Sequence, residues 1–323
     1  MQLFTYIKFK SNLQGIRIEN KNLLIAISSG ADSLCLLKLL FDYCEIKKYK
    51  VETVYIDHQW KNDSLHHTKH IINLMKAQKI PLSVYQIKNL VLSENKARQI
   101  RYKILLKHGN KHSSAIILTG HNKNDQVETF VYNIIRGTSL HGITGLTTLK
   151  RLNHKISILR PLINFSKAEI SWFCRLFFLP IWSDITNYNF SIKRNRIRYE
   201  LMPYLQNYFN PQIQNSLTKF INLCQQENEY IKENTLKLYI LSRHRLIISL
   251  NLIKLNKQHQ ILKKRVLKLF FFYHFNLPIH LDIIEQLLSL HALNIQKTIF
   301  FHGLKIYIIY GRIYLYILKS NGG

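Results

Sequence analysis

One stretch of this chain restricts its fold more than any other: LLIAISSGADSLCLL, Leu23 to Leu37. An unbroken apolar run, Leu23–Ile27, is followed by a turn of small residues and then by apolar positions at helical spacing. A strand that is apolar on both faces is covered on both sides, as in a parallel sheet. The same alternation continues down the chain. Val51–Ile56, Leu82–Ile87 and Ala115–Thr119 read as strands, and Ser33–Tyr43, Asp63–Gln78 and Glu94–His108 have helical spacing between them. Gly109 stands where a residue just past a helix end belongs. Strands alternating with helices predict βαβ units and a doubly wound, mostly parallel α/β sheet. A fifth strand is expected over Ile156–Leu159. Ser166-Lys167-Ala168-Glu169 has the form of a capping box that opens a helix through Phe177, which Pro180 stops.

The pattern changes after about Tyr208, where Asn210-Pro211 marks a break. A long polar helix is expected over Gln212–Tyr239, then helices over Gln258–Tyr273 and His280–Leu290, and a hairpin turning near Gly311. We therefore expect two domains: residues 1–210 as an α/β domain and 211–323 as a smaller α+β domain.

Charge bears on the partner. Lys plus Arg is 46, Asp plus Glu is 18, and the net charge is +28. That excess points to a polyanion, and 18 tyrosines with 17 phenylalanines offer stacking surfaces for RNA bases. An AT-rich genome would also enrich Lys, Ile and Asn, but it would not by itself deplete acids. Cys35, Cys44, Cys174 and Cys224 show neither C-x-x-C spacing nor a zinc pattern, so they read as small buried residues. No uncharged apolar run is long enough to cross a membrane. The N-terminus lacks the form of a signal peptide, and a first strand near Leu23 leaves no room for a long transit peptide.

Two segments carry chemistry. The turn Ser28-Ser29-Gly30-Ala31-Asp32-Ser33 enters a helix from the carboxyl end of a strand, where open α/β sheets bind ligands. It offers backbone N–H groups, hydroxyls and the positive end of a helix dipole to phosphate. Asp32 would repel phosphate unless it holds Mg²⁺ or orients the nucleotide; otherwise it is only a first-turn acid. The second segment, ILTGHNKNDQVETFVYNIIRG from Ile117 to Gly137, is again strand, loop and helix. His121 falls at the strand end, and Asp125 and Glu128 share one face of the first helical turns. They either decorate a helix start or join Asp32 in a metal–phosphate site.

The loop resembles that of the PP-loop ATP pyrophosphatases. Further segments resemble one branch of them, the tRNA(Ile)-lysidine synthetase family. These are Asp57-His58-Gln59-Trp60-Lys61, Ala97-Arg98-Gln99-Ile100-Arg101-Tyr102, Thr119-Gly120-His121 through Thr129, Arg136-Gly137, Arg160-Pro161-Leu162, Trp182-Ser183-Asp184 with Asn187, and Arg194-Asn195-Arg196-Ile197-Arg198. They run in family order from Leu23 to about Pro203. The loop departs from the family in having Ser29 where glycine is usual. If that position needs a positive φ, the serine costs on the order of 1 kcal/mol of strain.

The resemblance implies an ATP- and Mg²⁺-dependent ligase. It would join free L-lysine to C2 of the wobble cytidine in tRNA(Ile) with a CAU anticodon, by adenylating the base and releasing pyrophosphate and then AMP. Ser28, Ser29, Gly30, Ala31, Asp32, Ser33, His58 and Arg98 would bind ATP. Asp32, Asp125, Glu128 and His121 would be catalytic, with Asp32 and Asp125 as the Mg²⁺ ligands. Glu128 or Asp125 would instead receive the lysine ammonium. Arg136, Arg160, Arg194, Asn195, Arg196 and Arg198 would contact tRNA. Trp60 or Trp182 would stack on the flipped base, although tryptophan is ordinarily core. The lack of a long apolar run implies no membrane partner, and the resemblance makes a homodimer plausible. The composition points to the plastid stroma, with a bacterial cytoplasm as the alternative. Rival readings are a tRNA thiolase, for which paired cysteines are missing, and an inactive tRNA-binding relative with a damaged loop.

Overall fold

The computed structural model describes residues 2–16, 22–47, 50–57, 59, 64–87, 94–182, 190, 192–292 and 298–317. The chain divides into two compact units, Met1–Asn222 and Leu223–Gly323.

The first unit opens with α1 (Gln2–Leu13), followed by β1 (Asn22–Ile27), α2 (Ala31–Lys47), β2 (Val51–Asp57), α3 (Ser64–Ala77), β3 (Leu82–Gln86), α4 (Glu94–Lys111) and β4 (Ser114–Thr119). Then come α5 (Lys123–Ile135), the single turn α6 (Leu140–Ile143), β5 (Leu149–Arg151), β6 (Ser157–Leu159) and α7 (Lys167–Leu176). The six strands form one sheet in the order β3-β2-β1-β4-β6-β5. All pairs are parallel except β5 with β6.

β1 is central and apolar on both faces for a reason the packing makes visible. Leu23, Ile25 and Ile27 enter one core with Phe9 and Leu13 of α1, Leu36 and Leu40 of α2, Ile71 and Met75 of α3 and Phe173 of α7. Leu24 enters the opposite core with Val54, Ile117, Ile158 and Leu105 of α4. Each fully buried Leu or Ile here contributes about 1.5–3 kcal/mol.

Two details differ from the sequence reading. Gly109 is not a helix terminator: α4 runs through it to Lys111, and the left-handed residue is Ser113, with φ 55°. The short antiparallel edge strand β5, Leu-Lys-Arg and exposed throughout, carries no apolar pattern to announce it.

A helical segment follows in three parts: α8 (Lys193–Arg196), a π turn (Ile197–Leu201) and α9 (Met202–Tyr208). Pro203 explains the π turn. It has no N–H to give the preceding turn, and its ring pushes against the carbonyl four residues back. Helix α10 (Ile213–Ser242) passes from the first unit into the second. The second unit continues with β7 (Ser249–Asn251), α11 (Leu252–Asn256), α12 (Gln260–Phe275), α13 (Leu281–Ala292), β8 (Thr298–Phe301), β9 (Leu304–Ile309) and β10 (Arg312–Ile317). Its antiparallel sheet, in the order β7-β10-β9-β8, packs Leu304, Ile306, Ile313 and Leu315 against Val266, Leu267, Phe270 and Phe271 of α12.

The strand order fixes where a ligand goes. From β1 the chain winds outward to β2 and β3, then crosses back to β4 on the other side of β1. The carboxyl ends of β1 and β4 therefore form a switch point, the natural crevice of an open α/β sheet. The loops there touch. A Cβ on Gly120 would sit 3.0 Å from the backbone carbon and oxygen of Asp32 and 3.1 Å from Ser33 N. Gly120→Ala is therefore expected to cost about 1–3 kcal/mol of overpacking, read as a lower urea midpoint for the first unit. An unchanged midpoint would mean that the two loops are not in contact.

Candidate active site at the sheet switch point

The first wall of the crevice is the loop from β1 into α2. Ser33 Oγ fastens it, donating to Ser28 O at 2.7 Å and accepting from Ser28 N at 3.1 Å. Ser28 Oγ lies 2.8 Å from Ser33 Oγ and 3.4 Å from Gly30 N. Ala31 and Asp32 are the first two residues of α2, so the helix N-terminus opens toward the loop. Ser29 does not take a positive φ, so no left-handed strain attaches to the serine. Its hydroxyl turns aside to His67 Nδ1 at 3.2 Å, and its carbonyl accepts Trp182 N–H at 3.0 Å. Trp182 is not core. It lies over His67 and His70, with ring centroids 5.0 and 5.5 Å away, and is 41% exposed.

The second wall is the loop from β4 into α5. Asn122 caps α5 in a reciprocal capping box: its Oδ1 accepts Asp125 N–H at 3.1 Å, and Asp125 Oδ2 accepts Asn122 N–H at 3.0 Å. Asn122 Nδ2 then donates to Asp32 Oδ1 at 2.8 Å. One buried amide thus links the acids of the two walls.

The carboxylates differ in charge environment. Burial and the charge of Asp125 push Asp32 up to about 6. Burial would also raise Asp125, but the Arg194 guanidinium, the Asn122 backbone N–H and Arg198 hold it below the usual range. Arg198 forks Glu128, Nε to Oε1 at 2.6 Å and Nη2 to Oε2 at 2.7 Å, and reaches Asp125 Oδ1 at 3.1 Å. Arg194 reaches Asp125 Oδ1 at 2.9 Å and Glu128 Oε2 at 3.1 Å. Arg194 and Arg198 therefore point inward at carboxylates, not outward at a nucleic-acid backbone.

Beside this quartet lies a cationic pocket. His121 Nδ1 meets Thr119 Oγ1 at 2.9 Å, and burial together with the nearby Arg160 and Arg98 lowers the imidazole to about 3. It is neutral at physiological pH. Arg160 is 2% exposed; its Nη1 donates to Thr147 O at 2.6 Å, while its buried Nε has no partner among the described residues. Arg98 lies half-buried against Tyr102.

Asn195 is buried in the same segment. Arg196 is exposed and pairs with Glu200, and Arg136 is exposed at the far end of α5. Those two line an open groove of about 610 Å³ with Tyr132, Lys193 and Tyr204. His58 and Trp60 lie outside the described residues. Sequence reasoning missed Asn122, His67 and Lys167. Burial and the charge of Arg198 lower the Lys167 ammonium, while Glu128, Asp32 and Asp125 oppose the shift, so its head group lies among the site's charges. The only signal for Asn122 was its place as a good N-cap residue.

A family model described as a PP-loop domain matches residues 5–205. The chain is 42% identical to the chloroplastic tRNA(Ile)-lysidine synthase of Gracilaria tenuistipitata var. liui, over 97% of this chain and 99% of that one. The chain belongs to the tRNA(Ile)-lysidine synthase family. It is accordingly an enzyme, a ligase built on an ATP-binding PP-loop domain. Other members similar to it are the chloroplastic enzyme of Pyropia yezoensis, 32% identical over 92% of this chain and 91% of that one, and the Synechocystis enzyme, 30% identical over 96% and 94%. Among solved structures, a U34-tRNA thiolase from Methanococcus maripaludis shares the fold. The TM-score is 0.55 at 16% identity, over 68% of this chain and 78% of that one. Among the described residues no helix is long and apolar enough to cross a membrane.

The Asp32 environment has a pH signature. Its folded value of about 6 exceeds its ordinary 3.8, so between those pH values the folded state binds more protons than the unfolded. The Asp32 contribution therefore destabilises progressively as pH rises through that window. Comparing urea unfolding of wild type and Asp32→Asn from pH 4 to 7 isolates it. The variant should lose that downward trend, and parallel pH curves would contradict the raised value.

Proposed function

We propose that this enzyme makes lysidine: it adenylates O2 of the wobble cytidine of tRNA(Ile) with a CAU anticodon, releasing pyrophosphate, and then lets the ε-amine of free L-lysine displace AMP at C2. The observation that carries the reading is the hydrogen-bonded run Asp32–Asn122–Asp125 beside the PP-loop. It sets carboxylate oxygens at the rim of an anion-binding loop, which suits a cation neutralising a departing pyrophosphate.

The residues take the following parts. Ser28 to Ser33 and the α2 N-terminus cradle the phosphates. Asp32, with one oxygen on Asn122, and Asp125 would hold Mg²⁺, whose preference for oxygen ligands fits them; bound there, it would neutralise charge on the leaving group. Arg98, neutral His121 and the unpartnered Nε of Arg160 offer donors to the nucleotide. Lys167 adds an ammonium at the same mouth. With Asp125 on the cation, Glu128 is the acceptor for the lysine ammonium. Arg136 and Arg196 suit the tRNA backbone, with Tyr132 and Tyr204 beside them as apolar and stacking surface. In the smaller unit, a cleft of about 420 Å³ lined by Arg243, Arg245, Lys254 and Arg312 suits further phosphates, so that we read this unit as tRNA-binding. The plastid stroma as compartment and a homodimer as assembly belong to the same proposal; the chloroplastic relatives support the first.

The test is lysine incorporation. Purified protein, ATP, Mg²⁺ and labelled lysine are mixed with a tRNA(Ile) transcript carrying CAU, against the same transcript with U at the wobble position. Label in the first alone is expected. ATP cleavage to AMP without label would return the thiolase reading, and tRNA binding without either would make the chain a binding relative.

Because the Ser29 hydroxyl faces His67 and its backbone is unstrained, Ser29→Gly should change kcat/KM for ATP less than about threefold, under 1 kcal/mol of transition-state free energy. A gain of tenfold or more would show that the serine crowds the phosphates.

A further inference from the structure

The edge of the sheet opposite the nucleotide loop holds a second group of ligating side chains. Glu52 stands at the start of β2, His108 in the last turn of α4, and His112 just beyond it, four residues on. His108 Nε2 lies 3.4 Å from Glu52 Oε2, and His112 Nδ1 lies 3.5 Å from the same oxygen. All three ligand atoms are within 4.8 Å of one another. Two ligands of a tetrahedral zinc, each about 2.1 Å from the ion, stand about 3.4 Å apart. The carboxylate is thus already spaced from each imidazole as a bound ion would require.

The surroundings suit a ligand set. The His108 and His112 rings stack in parallel, centroids 4.1 Å apart and planes 6° apart. The Tyr85 hydroxyl lies 2.9 Å from His108 Nδ1 and holds the ring from behind. It can donate to Nδ1 in one tautomer and accept from it in the other, so Nε2 can carry a lone pair without leaving Nδ1 unsatisfied. The His108 side chain is 1% exposed, whereas Glu52 and His112 are 36% and 37% exposed, so the group opens to solvent on one side.

We propose that Glu52, His108 and His112 bind a divalent transition metal of the zinc type, with water as the fourth ligand. Two imidazole nitrogens and one carboxylate select zinc, cobalt or nickel over magnesium, whose oxygen ligands lie at the other edge of the sheet. A rotation of the half-exposed His112 ring converges its lone pair on the ion. The ion would staple the start of β2 to the end of α4.

The test uses the full chain without a histidine tag, titrated with zinc by calorimetry and with cobalt by visible absorption. One equivalent of cobalt should give the intense d–d bands of a four-coordinate ion, and zinc should displace it. Affinity should fall at least about tenfold in both Glu52→Gln and His112→Ala, as is usual when a metal loses a ligand or its support. Both positions are open to solvent, so each variant should melt like wild type without metal, and only wild type should gain melting temperature with zinc. Asp32→Asn should bind zinc as wild type does. No saturable binding by wild type, wild-type affinity in either ligand variant, or loss of binding in Asp32→Asn would each overturn the proposal.

Discussion

The site depends on two buried carboxylates and two half-buried guanidiniums that neutralise one another. Asp125 and Glu128 leave one face of α5; Arg194 and Arg198 leave the helical segment that follows the sheet. Charges this buried persist only when paired and hydrogen-bonded, and removing one partner from such a group costs about 3–5 kcal/mol. The quartet therefore does two jobs. It ties the segment after α7 to the switch point, and its guanidiniums hold Asp125 below the usual carboxylate range against the opposing effect of burial. The apolar contacts of Val127 and Phe130 with Ile197 and Met202 lie along the same seam and exclude water from it. The π turn belongs to this arrangement, since it sits where Arg198 must face the same carboxylates as Arg194.

Most of the first unit was legible because its sheet is buried on both faces. β1, β2 and β4 are apolar along their middles, with polar residues such as Glu52, Asp57 and Thr119 toward their ends, and that pattern beside helical spacing marks a buried parallel sheet. Elements that pack through one face, or through none, were harder to see. Helix α1 contributes Phe9 and Leu13 to the core, but Leu3, Phe4 and Ile7 are exposed among its lysines, so its apolar residues mark no single face. β5 buries nothing, and Gly109 looked like punctuation because glycine at a helix end is common. Here α4 continues through it, and the turn falls on Ser113.

Site residues were legible by type and not by direction. Asp32, His121, Asp125 and Glu128 had to converge once the strand order was known, since all four leave the carboxyl ends of β1 and β4. What a basic run faces is a tertiary fact. Arg194, Arg196 and Arg198 alternate in sequence, yet the first and third turn to carboxylates and the second to solvent. A buried arginine such as Arg160 gives no sign in sequence that it is buried. Asn122 and His67 escaped notice because their work is local: one caps a helix, the other receives a hydroxyl. Both became site residues only when a second loop came within hydrogen-bond distance.

The same placement accounts for the charge of the chain. Few acids are present, and many of those described are turned inward to specific partners. Asp125 and Glu128 hold the quartet, and Asp57 accepts Gln59 N–H and stands beside Thr68 at the start of α3. Glu169 caps α7 and takes Lys8, while Asp42 takes Tyr6 and Lys38. Cations have far fewer inward duties, so the surplus falls on the surface, as in the grooves around Arg136 and Arg243. A genome bias toward lysine codons would add cations anywhere. It would not explain why Asp32, Asp125 and Glu128 gather at the switch point. With 46 basic against 18 acidic residues, exposed acids such as Glu200, Glu229 and Glu285 are far outnumbered, which leaves the surface attractive to a polyanion while the switch point retains its carboxylates.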